Sequence, residues 1–443
     1  MAYARMKSTL TGRPGQSVAA HPLRAPVPLR ARVRTLVSRL LRQMGEEMRK
    51  RHDIIISGGG IAGLSAAAAF GSAGYDVLCV DPSPPIMAEG DPASDLRTTA
   101  FLQPSVDLLE AAGLWQRFTP HATPLQVMRI VDAGGEVPEP RVSHDFDAAD
   151  ISDQPFGWNL PNWLLRRECV ARLGALDNVT FRPGIGTARV LTRESEALVT
   201  LSDGSRASAR LLIAADGRAS PVRQALGIGV RTTRFGQKAL AFAVTHPVAH
   251  DNVSTEIHRS GGPFTFVPLP DRDGQPCSAI VWMETGPEAQ RLATLPEAAF
   301  EAEMTERSAG LFGPLTLASR RTIWPIISQI ADQFYGERTA LVAEAARVVP
   351  PIGAQGLNMS LADIAALLDL ATPEALGSPE MLRAYHRRRY PDVALRVAGV
   401  GALNRASMLA ARPLRDARAL ALNALYTAAP VRRALMQLGI GVR

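Results

Sequence analysis

A short β-branched run leads directly into a glycine-rich turn in the sequence Asp53-Ile-Ile-Ile-Ser-Gly-Gly-Gly-Ile-Ala-Gly63. The alanine-rich segment 61–72 that follows predicts a helix, and the apolar segment 75–80 predicts a second buried strand. A strand, a glycine turn, a helix and another strand in this order form a βαβ unit. The sequence therefore predicts an α/β fold that is built outward from this unit.

The turn carries a dinucleotide-binding fingerprint. Gly58, Gly60 and Gly63 match the spacing G-x-G-x-x-G, and Asp81 follows 18 residues later at the end of the second strand. The first glycine permits a tight turn, the second lets a pyrophosphate approach the backbone, and the third lets the helix pack closely on the sheet. Asp81 would accept hydrogen bonds from ribose hydroxyls. The fingerprint does not separate NAD from FAD, and a glycine-rich turn without a ligand is the alternative.

The later parts of the chain have different patterns. Between residues 229 and 332, strand-like runs alternate with Pro, Asp and Gly turns, which indicates a second, sheet-rich domain. Beyond Leu361 the chain is rich in Ala, Leu and Arg, with Pro413 and Pro430 as breaks. This pattern predicts at least three helices.

Length and charge limit the classes of function. A chain of 443 residues exceeds the usual size of a single hydrophobic core, so two domains are expected. Residues 1–52 carry 12 Lys and Arg against 2 Asp and Glu, and residues 382–443 carry the same balance. The formal net charge is +7, so the remaining residues carry −13, which is +7 less two balances of +10. Basic charge at the two ends does not indicate a nucleic-acid groove, but it suits contact with anionic lipid.

The first 51 residues form a basic tail that is expected to be disordered or to reflect an over-extended start. Residues 1–45 contain no Asp or Glu and no long apolar run, which excludes a secretory signal. An organellar presequence, a disordered arm and a true start at Met44 or Met48 all remain open. The three cysteines are too widely spaced to indicate a disulfide framework or a metal site, and they suit a reducing compartment. We expect a cytoplasmic protein, with peripheral contact at the inner membrane as a further expectation.

Several later segments carry a resemblance to a known family. They are Asp95-Leu-Arg97, Asn159-Leu-Pro-Asn162, Asp216-Gly217 with its preceding apolar run 211–215, Pro268-Leu-Pro270, and Pro351-Ile-Gly-Ala-Gln-Gly-Leu-Asn358 followed by Asp363. Together they resemble the motifs of single-component flavoprotein aromatic hydroxylases, the group of para-hydroxybenzoate hydroxylase. The closest resemblance is to the ubiquinone-biosynthesis hydroxylases, and it spans about residues 52–428.

The resemblance implies a fold and a domain organisation. The expected fold class is α/β, with a Rossmann-like FAD-binding domain, an inserted sheet-rich substrate domain and a helical C-terminal region. The expected boundaries are 1–51 for the basic tail, 52–120 with 164–228 and 333–428 for the FAD-binding domain, 121–163 with 229–332 for the substrate domain, and 429–443 for a C-terminal helix.

The resemblance also implies the site residues. The cofactor is expected to be FAD, with NAD(P)H as a transient co-substrate because only one dinucleotide fingerprint is present. The expected FAD-binding residues are Gly58, Gly60, Gly63, Asp81, Arg97, Asp216, Gly217, Glu344, Gly356, Leu357 and Asn358. Pro351 and Gln355 are expected near the flavin ring. No side chain is assigned as catalytic, because the flavin carries the chemistry, and no metal is expected.

One segment departs from the family pattern. Where the family usually has Gly-Asp-Ala-Ala-His, this chain has Ala343-Glu-Ala-Ala-Arg347, and Ser360 stands at a position often held by Gly. Glu344 keeps the carboxylate that would bind the ribityl chain. Ala343 adds a methyl group where the backbone approaches the flavin, and Arg347 introduces a permanent positive charge.

The resemblance predicts an FAD-dependent monooxygenase that hydroxylates a prenylated phenolic ring in ubiquinone biosynthesis with NAD(P)H and O2. The expected partners are this phenol and O2, together with peripheral membrane contact and a quinone-biosynthesis complex. Two alternatives remain open. One is a flavin-dependent reductase or saturase on the same fold, and the other is a non-catalytic, flavin-poor member of a quinone-biosynthesis assembly.

Overall fold

The structure, a computed structural model, describes residues 50–441 apart from residues 136, 260 and 410 and the side chain of residue 412. The predicted basic tail, residues 1–51, lies outside the described residues except for its last two. From Lys50 onward the chain forms one compact unit.

Helices and strands alternate along the first part of the chain and segregate later. The helices are α1 (Ile61–Ser72), α2 (Gln103–Ala111), α3 (Trp115–Phe118), α4 (Asn162–Leu173), α5 (Pro221–Ala225), α6 (Gly286–Thr294), α7 (Glu297–Arg307), α8 (Ala343–Ala346), α9 (Gln355–Leu370), α10 (Pro379–Ser407), α11 (Arg412–Thr427) and α12 (Ala429–Ile440). The strands are β1 (Lys50–Ser57), β2 (Val77–Asp81), β3 (Thr98–Leu102), β4 (Thr123–Leu125), β5 (Val127–Asp132), β6 (Val142–Asp147), β7 (Gly157–Pro161), β8 (Val179–Pro183), β9 (Thr187–Arg193), β10 (Glu196–Leu201), β11 (Arg206–Ala214), β12 (Val230–Thr245), β13 (Val253–His258), β14 (Pro263–Arg272), β15 (Gln275–Thr285), β16 (Thr316–Leu317), β17 (Thr322–Ala331), β18 (Tyr335–Gly336), β19 (Thr339–Leu341) and β20 (Arg347–Val348).

An eight-stranded sheet contains the predicted βαβ unit. Its strand order is β18-β19-β11-β1-β2-β8, and β10 and β9 continue from β11. The central pairs β11–β1, β1–β2 and β2–β8 are parallel. Ile54, Ile55 and Ile56 in β1 are 0% exposed, because a central parallel strand is covered on both faces.

Helix α1 lies almost fully inside the protein. Its residues from Ala62 to Gly71 are all buried, and it packs against β2 and against helices α2, α4 and α9. A helix that is apolar on every side belongs in the interior, and its small alanines allow neighbouring elements to approach closely. The predicted helix 61–72 is confirmed residue for residue.

A second, nine-stranded sheet has the order β20-β17-β12-β15-β14-β13-β5-β6, with β16 beside β12. Its pairs are antiparallel except for β13 and β5. One core beside this sheet is aromatic and includes Phe242, Phe264, Trp282 and Phe300, the last of them from α7. This is the sheet-rich region that the sequence predicts for residues 229–332.

A small third sheet and the last helices complete the fold. The third sheet has the order β3-β7-β4. Pro413 and Pro430 lie in the first turns of α11 and α12, where a missing backbone N–H costs no helical hydrogen bond. The predicted helical region beyond Leu361 is therefore confirmed. None of the helices among the described residues has the length and apolarity to cross a bilayer.

The fold class agrees with the prediction, but the domain boundaries stay a prediction. In the segment 121–163, which we assigned to the substrate domain, β5 and β6 extend the nine-stranded sheet. Strand β7 of the same segment pairs instead with β4 and with β3 in the third sheet. The segment 121–163, predicted to belong to one domain, therefore contains strands of two different sheets.

Candidate flavin site

The glycine turn between β1 and α1 has the geometry that a bound pyrophosphate needs. Gly58 adopts a φ of +113°, and a Cβ placed on it would lie 2.3 Å from the carbonyl oxygen of Ala215. A Cβ on Gly63 would lie 1.9 Å from the carbonyl oxygen of Gly58. By contrast, a Cβ on Gly60 would meet nothing within 4 Å. The two outer glycines are thus required by the protein itself, whereas the space at Gly60 is open for a ligand.

Asp81 lies at the end of β2 and faces this turn. Its Oδ2 accepts a hydrogen bond from the backbone N–H of Gly59 at 2.6 Å, and its Oδ1 accepts one from the backbone N–H of Ser83 at 2.8 Å. The side chain therefore has a fixed orientation beside the fingerprint. Its remaining lone pairs suit the ribose hydroxyls that the sequence predicts as partners.

Asp216 and Gly217 follow β11 on the other side of the turn. Oδ2 of Asp216 accepts from the backbone N–H of Val222 at 3.1 Å, whereas its buried Oδ1 accepts no hydrogen bond of normal geometry within the described residues. Burial raises the pKa of Asp216, although the Ser220 hydroxyl and the Val222 amide act in the opposite direction. A buried carboxylate oxygen without a partner is costly, so it points to a missing polar ligand. Gly217 has a φ of +83° and open space at its Cβ position.

Arg223 connects this motif to the segment that departs from the family pattern. Its guanidinium donates to the carbonyl oxygen of Ala345 at 2.8 Å and to that of Arg218 at 3.0 Å. The side chain is only 4% exposed, and burial lowers its pKa. Arg223 therefore fixes the turn before α5 against α8.

Arg97 is held in place by a carboxylate that the sequence did not single out. Asp95 pairs with Arg97 at 2.8 Å and also accepts from the side-chain amide of Asn162 at 3.0 Å. The hydrogen bond that Arg97 donates to Asp95 raises the pKa of Arg97, and the negative charge of Glu344 acts in the same direction. The guanidinium lies 5.4 Å from the ring centroid of Trp324. Arg97, which is half exposed, and Glu344 therefore interact electrostatically although they are far apart in the sequence.

The loop before α9 joins the site to the third sheet. Gly353 and Ala354 have φ values of +64° and +54°, so the chain makes a left-handed turn just before the helix begins. The amide of Asn358 donates to the carbonyl oxygens of Ala100 and Ala354, both at 2.7 Å. Its Oδ1 accepts from the backbone N–H of Leu102 at 2.9 Å. Asn358 thereby fixes the loop against β3.

The other residues predicted in this loop have different environments. A Cβ on Gly356 would meet nothing within 4 Å, which leaves the start of α9 open to a ligand. Pro351 is exposed and Leu357 is partly buried against the main core. The side chain of Gln355 donates to the carbonyl oxygens of Gly353 and Gly439, both at 2.9 Å. Gln355 is therefore engaged with helix α12 as well as with the loop.

The positive charge of Arg347 is neutralised within the protein. Arg347 is 3% exposed and forms an ion pair with Asp363, which is 0% exposed. It also donates to the hydroxyl of Ser360 at 3.2 Å, and Asp363 pairs with Arg389 at 2.7 Å. Two of the departures from the family pattern, Arg347 and Ser360, are therefore in contact. Ser360 supplies a hydrogen bond that a glycine lacks.

Ala343 adopts the strained conformation that the family pattern suggests. Its φ is +52°, a left-handed value that costs an alanine roughly 1 kcal/mol relative to glycine. The next residue, Glu344, is exposed at the start of α8. The backbone thus keeps the turn that a glycine would make, at a small cost in stability.

An apolar cluster faces the loop from the nine-stranded sheet. Ala239, Met283 and Ile326, from strands β12, β15 and β17, are all buried. The partly buried side chains that pack on them are Phe235, Val281, Trp324 and Ile352, the last of which belongs to the loop itself. This cluster joins the nine-stranded sheet to the loop predicted to contact the flavin ring.

The residues present fit FAD. Open space lies at Gly60 and Gly356, at the N-termini of the 12-residue helix α1 and the 16-residue helix α9. Helix N-termini stabilise phosphate groups and other negative charge. The buried Oδ1 of Asp216 supplies an acceptor that has no hydrogen bond of normal geometry among the described residues.

We expect Glu344→Gln to weaken FAD binding. The change keeps the size of the side chain but replaces a charged acceptor with a neutral amide, at a cost of about 1.5 to 3 kcal/mol, or roughly ten- to a hundredfold in Kd. Glu344→Asp should bind FAD about as well as the parent. Flavin fluorescence titrations of the apoprotein measure both, with Glu374→Gln, an exposed carboxylate elsewhere, as the control. An unchanged Kd for Glu344→Gln would remove this side chain from the site.

Comparison with known proteins identifies the family of the chain. Residues 51–398 match the FAD binding domain family. The chain is 33% identical over 398 residues to ubiquinone hydroxylase UbiL of Rhodospirillum rubrum, covering 88% of this chain and 89% of that protein. It is 27% identical to 3-demethoxyubiquinol 3-hydroxylase of Escherichia coli, covering 88% and 98% of the two chains.

The fold also matches solved structures. The crystal structure of p-nitrophenol 4-monooxygenase PnpA from Pseudomonas putida is similar with a TM-score of 0.72 at 18% identity, and the match covers 89% of this chain and 100% of that chain. At this identity the likeness concerns the fold alone. The family match covers most of the chain, and its relatives are hydroxylases. The chain therefore belongs to the FAD binding domain family and is an FAD-dependent hydroxylase of the monooxygenase group.

Proposed function

We propose that this protein hydroxylates a prenylated phenolic ring in ubiquinone biosynthesis, using NAD(P)H and O2. The observation that carries the proposal is the apolar cluster of Ala239, Met283 and Ile326 opposite the loop at Ile352. Its side chains carry no charge, so they suit a ring with a hydrocarbon chain. The names of the hydroxylase relatives support the same class of substrate.

The side chains of this protein bind and orient, and they exclude water. When bound, FAD supplies hydride acceptance and the activation of O2. The turn at Gly60 and the start of α1 would hold its pyrophosphate, and Asp81 its adenosine ribose. Asp216, Arg97 and Glu344 would hold the middle of the cofactor. Trp324 and Ile352 would keep water away from the ring to be hydroxylated.

We extend the proposal to the remaining predicted residues and to the domains. Gly58, Gly63, Gly217, Gly356, Leu357 and Asn358 would shape the FAD site, with Pro351 and Gln355 nearest to the ring. The FAD-binding domain would comprise residues 52–120, 164–228 and 333–428. The substrate domain would comprise residues 121–163 and 229–332.

The test is the stoichiometry of the reaction. For the proposed reaction, one phenol, one NAD(P)H, one H⁺ and one O2 give one hydroxylated phenol, one NAD(P)⁺ and one water. Oxygen-electrode and product measurements with a prenylated phenol should therefore give equal consumption of NAD(P)H and O2. A reductase or saturase would oxidise NAD(P)H without consuming O2 in this ratio. A non-catalytic protein would not retain FAD, although the neutralised charge of Arg347 removes the main argument for that alternative.

We further propose that the protein is cytoplasmic and rests on an anionic membrane surface through α11 and α12. Six of the thirteen exposed large apolar side chains of the described residues lie on these two helices: Leu414, Leu420, Leu425, Val431, Leu435 and Leu438. The region is also strongly basic, and apolar and basic groups together favour anionic lipid.

Vesicle sedimentation tests the membrane proposal. The purified protein should pellet with phosphatidylglycerol vesicles at low salt, and not with phosphatidylcholine vesicles. Leu420→Ser with Leu425→Ser should reduce this binding severalfold, because each change removes an apolar side chain from the lipid interface. A protein that pellets with neither vesicle would instead favour contact with other enzymes of a quinone-biosynthesis complex through the same face.

A further inference from the structure

The last helix, α12, contacts the loop of the candidate flavin site. Its two buried side chains, Met436 and Ile440, are 7% and 9% exposed. They pack in one apolar cluster with Leu102, Ala148 and Phe156. Leu102 is the residue whose backbone N–H bonds to Asn358 at the start of α9. The inner face of α12 therefore lies beside the FAD loop and one end of β3.

Polar side chains hold the end of α12 on this loop. The amide of Gln355 donates to the carbonyl oxygen of Gly439 at 2.9 Å. Arg396 of α10 donates to the carbonyl oxygen of Leu438 at 3.3 Å and to Oε1 of Gln355 at 3.0 Å. Gln355 and Arg396 thus form a latch, which we define as these two side chains. The latch joins the C-terminal turn of α12 to the first turn of α9.

A second set of contacts ties α11 to strands β5 and β6 at one end of the nine-stranded sheet. Arg418 pairs with Asp132 of β5 at 2.8 Å. Tyr426 stacks on the ring of His144 in β6, with centroids 4.0 Å apart and an angle of 13° between the rings. The two helices therefore bridge the edge strands of the nine-stranded sheet and the FAD loop.

The bridge has little apolar burial of its own. Among the described side chains of α11 and α12, those of Met436 and Ile440 alone are buried. The remaining contacts to the body are hydrogen bonds, ion pairs and the ring contacts of Tyr426 with His144 and Phe146. The ion pair of Arg418 with Asp132 is largely buried and fixes α11. Helix α12 itself is held by two apolar side chains, the latch and the partly exposed ion pair of Arg432 with Asp150, so it opens at a smaller free energy than the core unfolds.

We propose that α12 is a movable wall beside the candidate flavin site, which closes over the FAD loop through Met436, Ile440 and the latch. This inference rests on the proposed function and deepens it. A lipid-soluble substrate needs an apolar way in from the membrane, and the outward face of the same helix carries Leu435 and Leu438, which are exposed. Closure then excludes water while the ring is hydroxylated.

Loss of the wall has a defined chemical consequence. When the site stays open, the two electrons of NAD(P)H reach O2 without transfer of oxygen to the ring. In this leak, NAD(P)H, H⁺ and O2 give NAD(P)⁺ and H2O2. The yield of H2O2 per NAD(P)H therefore measures how well the site is closed.

The test compares the two faces of the same helix in the FAD-loaded protein. The inner-face variant is Met436→Ser with Ile440→Ser, and the matched outer-face variant is Ala434→Ser with Gln437→Ser, two exposed positions of the same helix that have no part in the latch or in the apolar outer surface. The inner-face variant should raise the H2O2 yield severalfold. It should also speed amide hydrogen exchange in residues 98–105 and 353–360 by about tenfold, the change that corresponds to about 1.4 kcal/mol of closing free energy. The outer-face variant should change neither quantity.

Two further outcomes keep the proposal open to contradiction. A chain that ends after Ala428 removes α12 entirely and should reproduce the inner-face result. Equal exchange in the parent, the inner-face variant and this shortened chain would overturn the proposal. So would equal effects of the two faces. If the parent closes in this way but hydroxylates no prenylated phenol, the proposed function fails and the wall remains, because hydrogen exchange needs no substrate.

Discussion

Gly60→Val should abolish FAD binding while the protein still folds. Gly60 has a φ of −67° and a ψ of 171°, an extended conformation that valine adopts readily. A Cβ there meets no protein atom within 4 Å, so the branched side chain would occupy open space. In the FAD-bound protein, however, this is where phosphate oxygens must approach the backbone. The expected result is a colourless protein with the thermal unfolding of the parent apoprotein.

The neighbouring glycines make the result specific. Valine at Gly63 would force its Cβ against the carbonyl oxygen of Gly58 and should impair folding itself. Gly90→Val is the matched control, because a Cβ there also meets nothing and the position is exposed. Flavin content after purification and the FAD Kd of the apoprotein measure the effect. Parent-like flavin content in Gly60→Val would show that the cofactor lies elsewhere.

The sequence predicted the part of the site that is built from residues close together in the chain. The fingerprint at Gly58, Gly60 and Gly63 and the bounds of α1 follow from residue spacing, because a βαβ unit is built from neighbours in the sequence. The bonds that place Asp81 beside the turn follow from its position at the end of β2.

The partners of individual charged side chains could not be predicted from the sequence. Asp95 as the partner of Arg97 was missed, although the pair lies two residues apart, since a carboxylate near an arginine in a polar loop is common. The sequence indicated a permanent positive charge at Arg347 but not its partners. These are Asp363 and Ser360, which lie on another element. Arg389 was hidden in a run of three arginines, in which no spacing distinguishes the buried one.

The buried ion pairs of Asp363 with Arg347 and Arg389 lead to a second prediction. Asp363→Ala should lower the free energy of unfolding by about 3 to 5 kcal/mol. Asp363 is 0% exposed and accepts from both Arg347 and Arg389. Its removal leaves the buried guanidinium of Arg347 without a counter-charge, and the desolvation of that charge is then uncompensated. Arg389 keeps a second partner, Asp392, at 2.8 Å.

A control on the same helix separates burial from the mere loss of an ion pair. Asp369 of α9 pairs with Arg388 at 2.8 Å, but their side chains are 58% and 53% exposed. Asp369→Ala should therefore cost less than about 1 kcal/mol, because an exposed ion pair is weak. Urea unfolding of the two variants measures the difference. Equal costs would mean that Asp363 does not balance a buried charge.

A double variant tests which charge is responsible. Asp363→Ala with Arg347→Met removes the uncompensated guanidinium and replaces it with an apolar chain of similar length. The double variant should therefore recover a large part of the stability that Asp363→Ala alone loses. If the double variant is as unstable as Asp363→Ala alone, the uncompensated charge of Arg347 does not cause the loss of stability. The loss would then come from the guanidinium of Arg389. If stability returns but FAD binding does not, the ion pair has a second role. It would then hold α8 and α9 at the separation that Glu344 and Gly356 need to reach one cofactor.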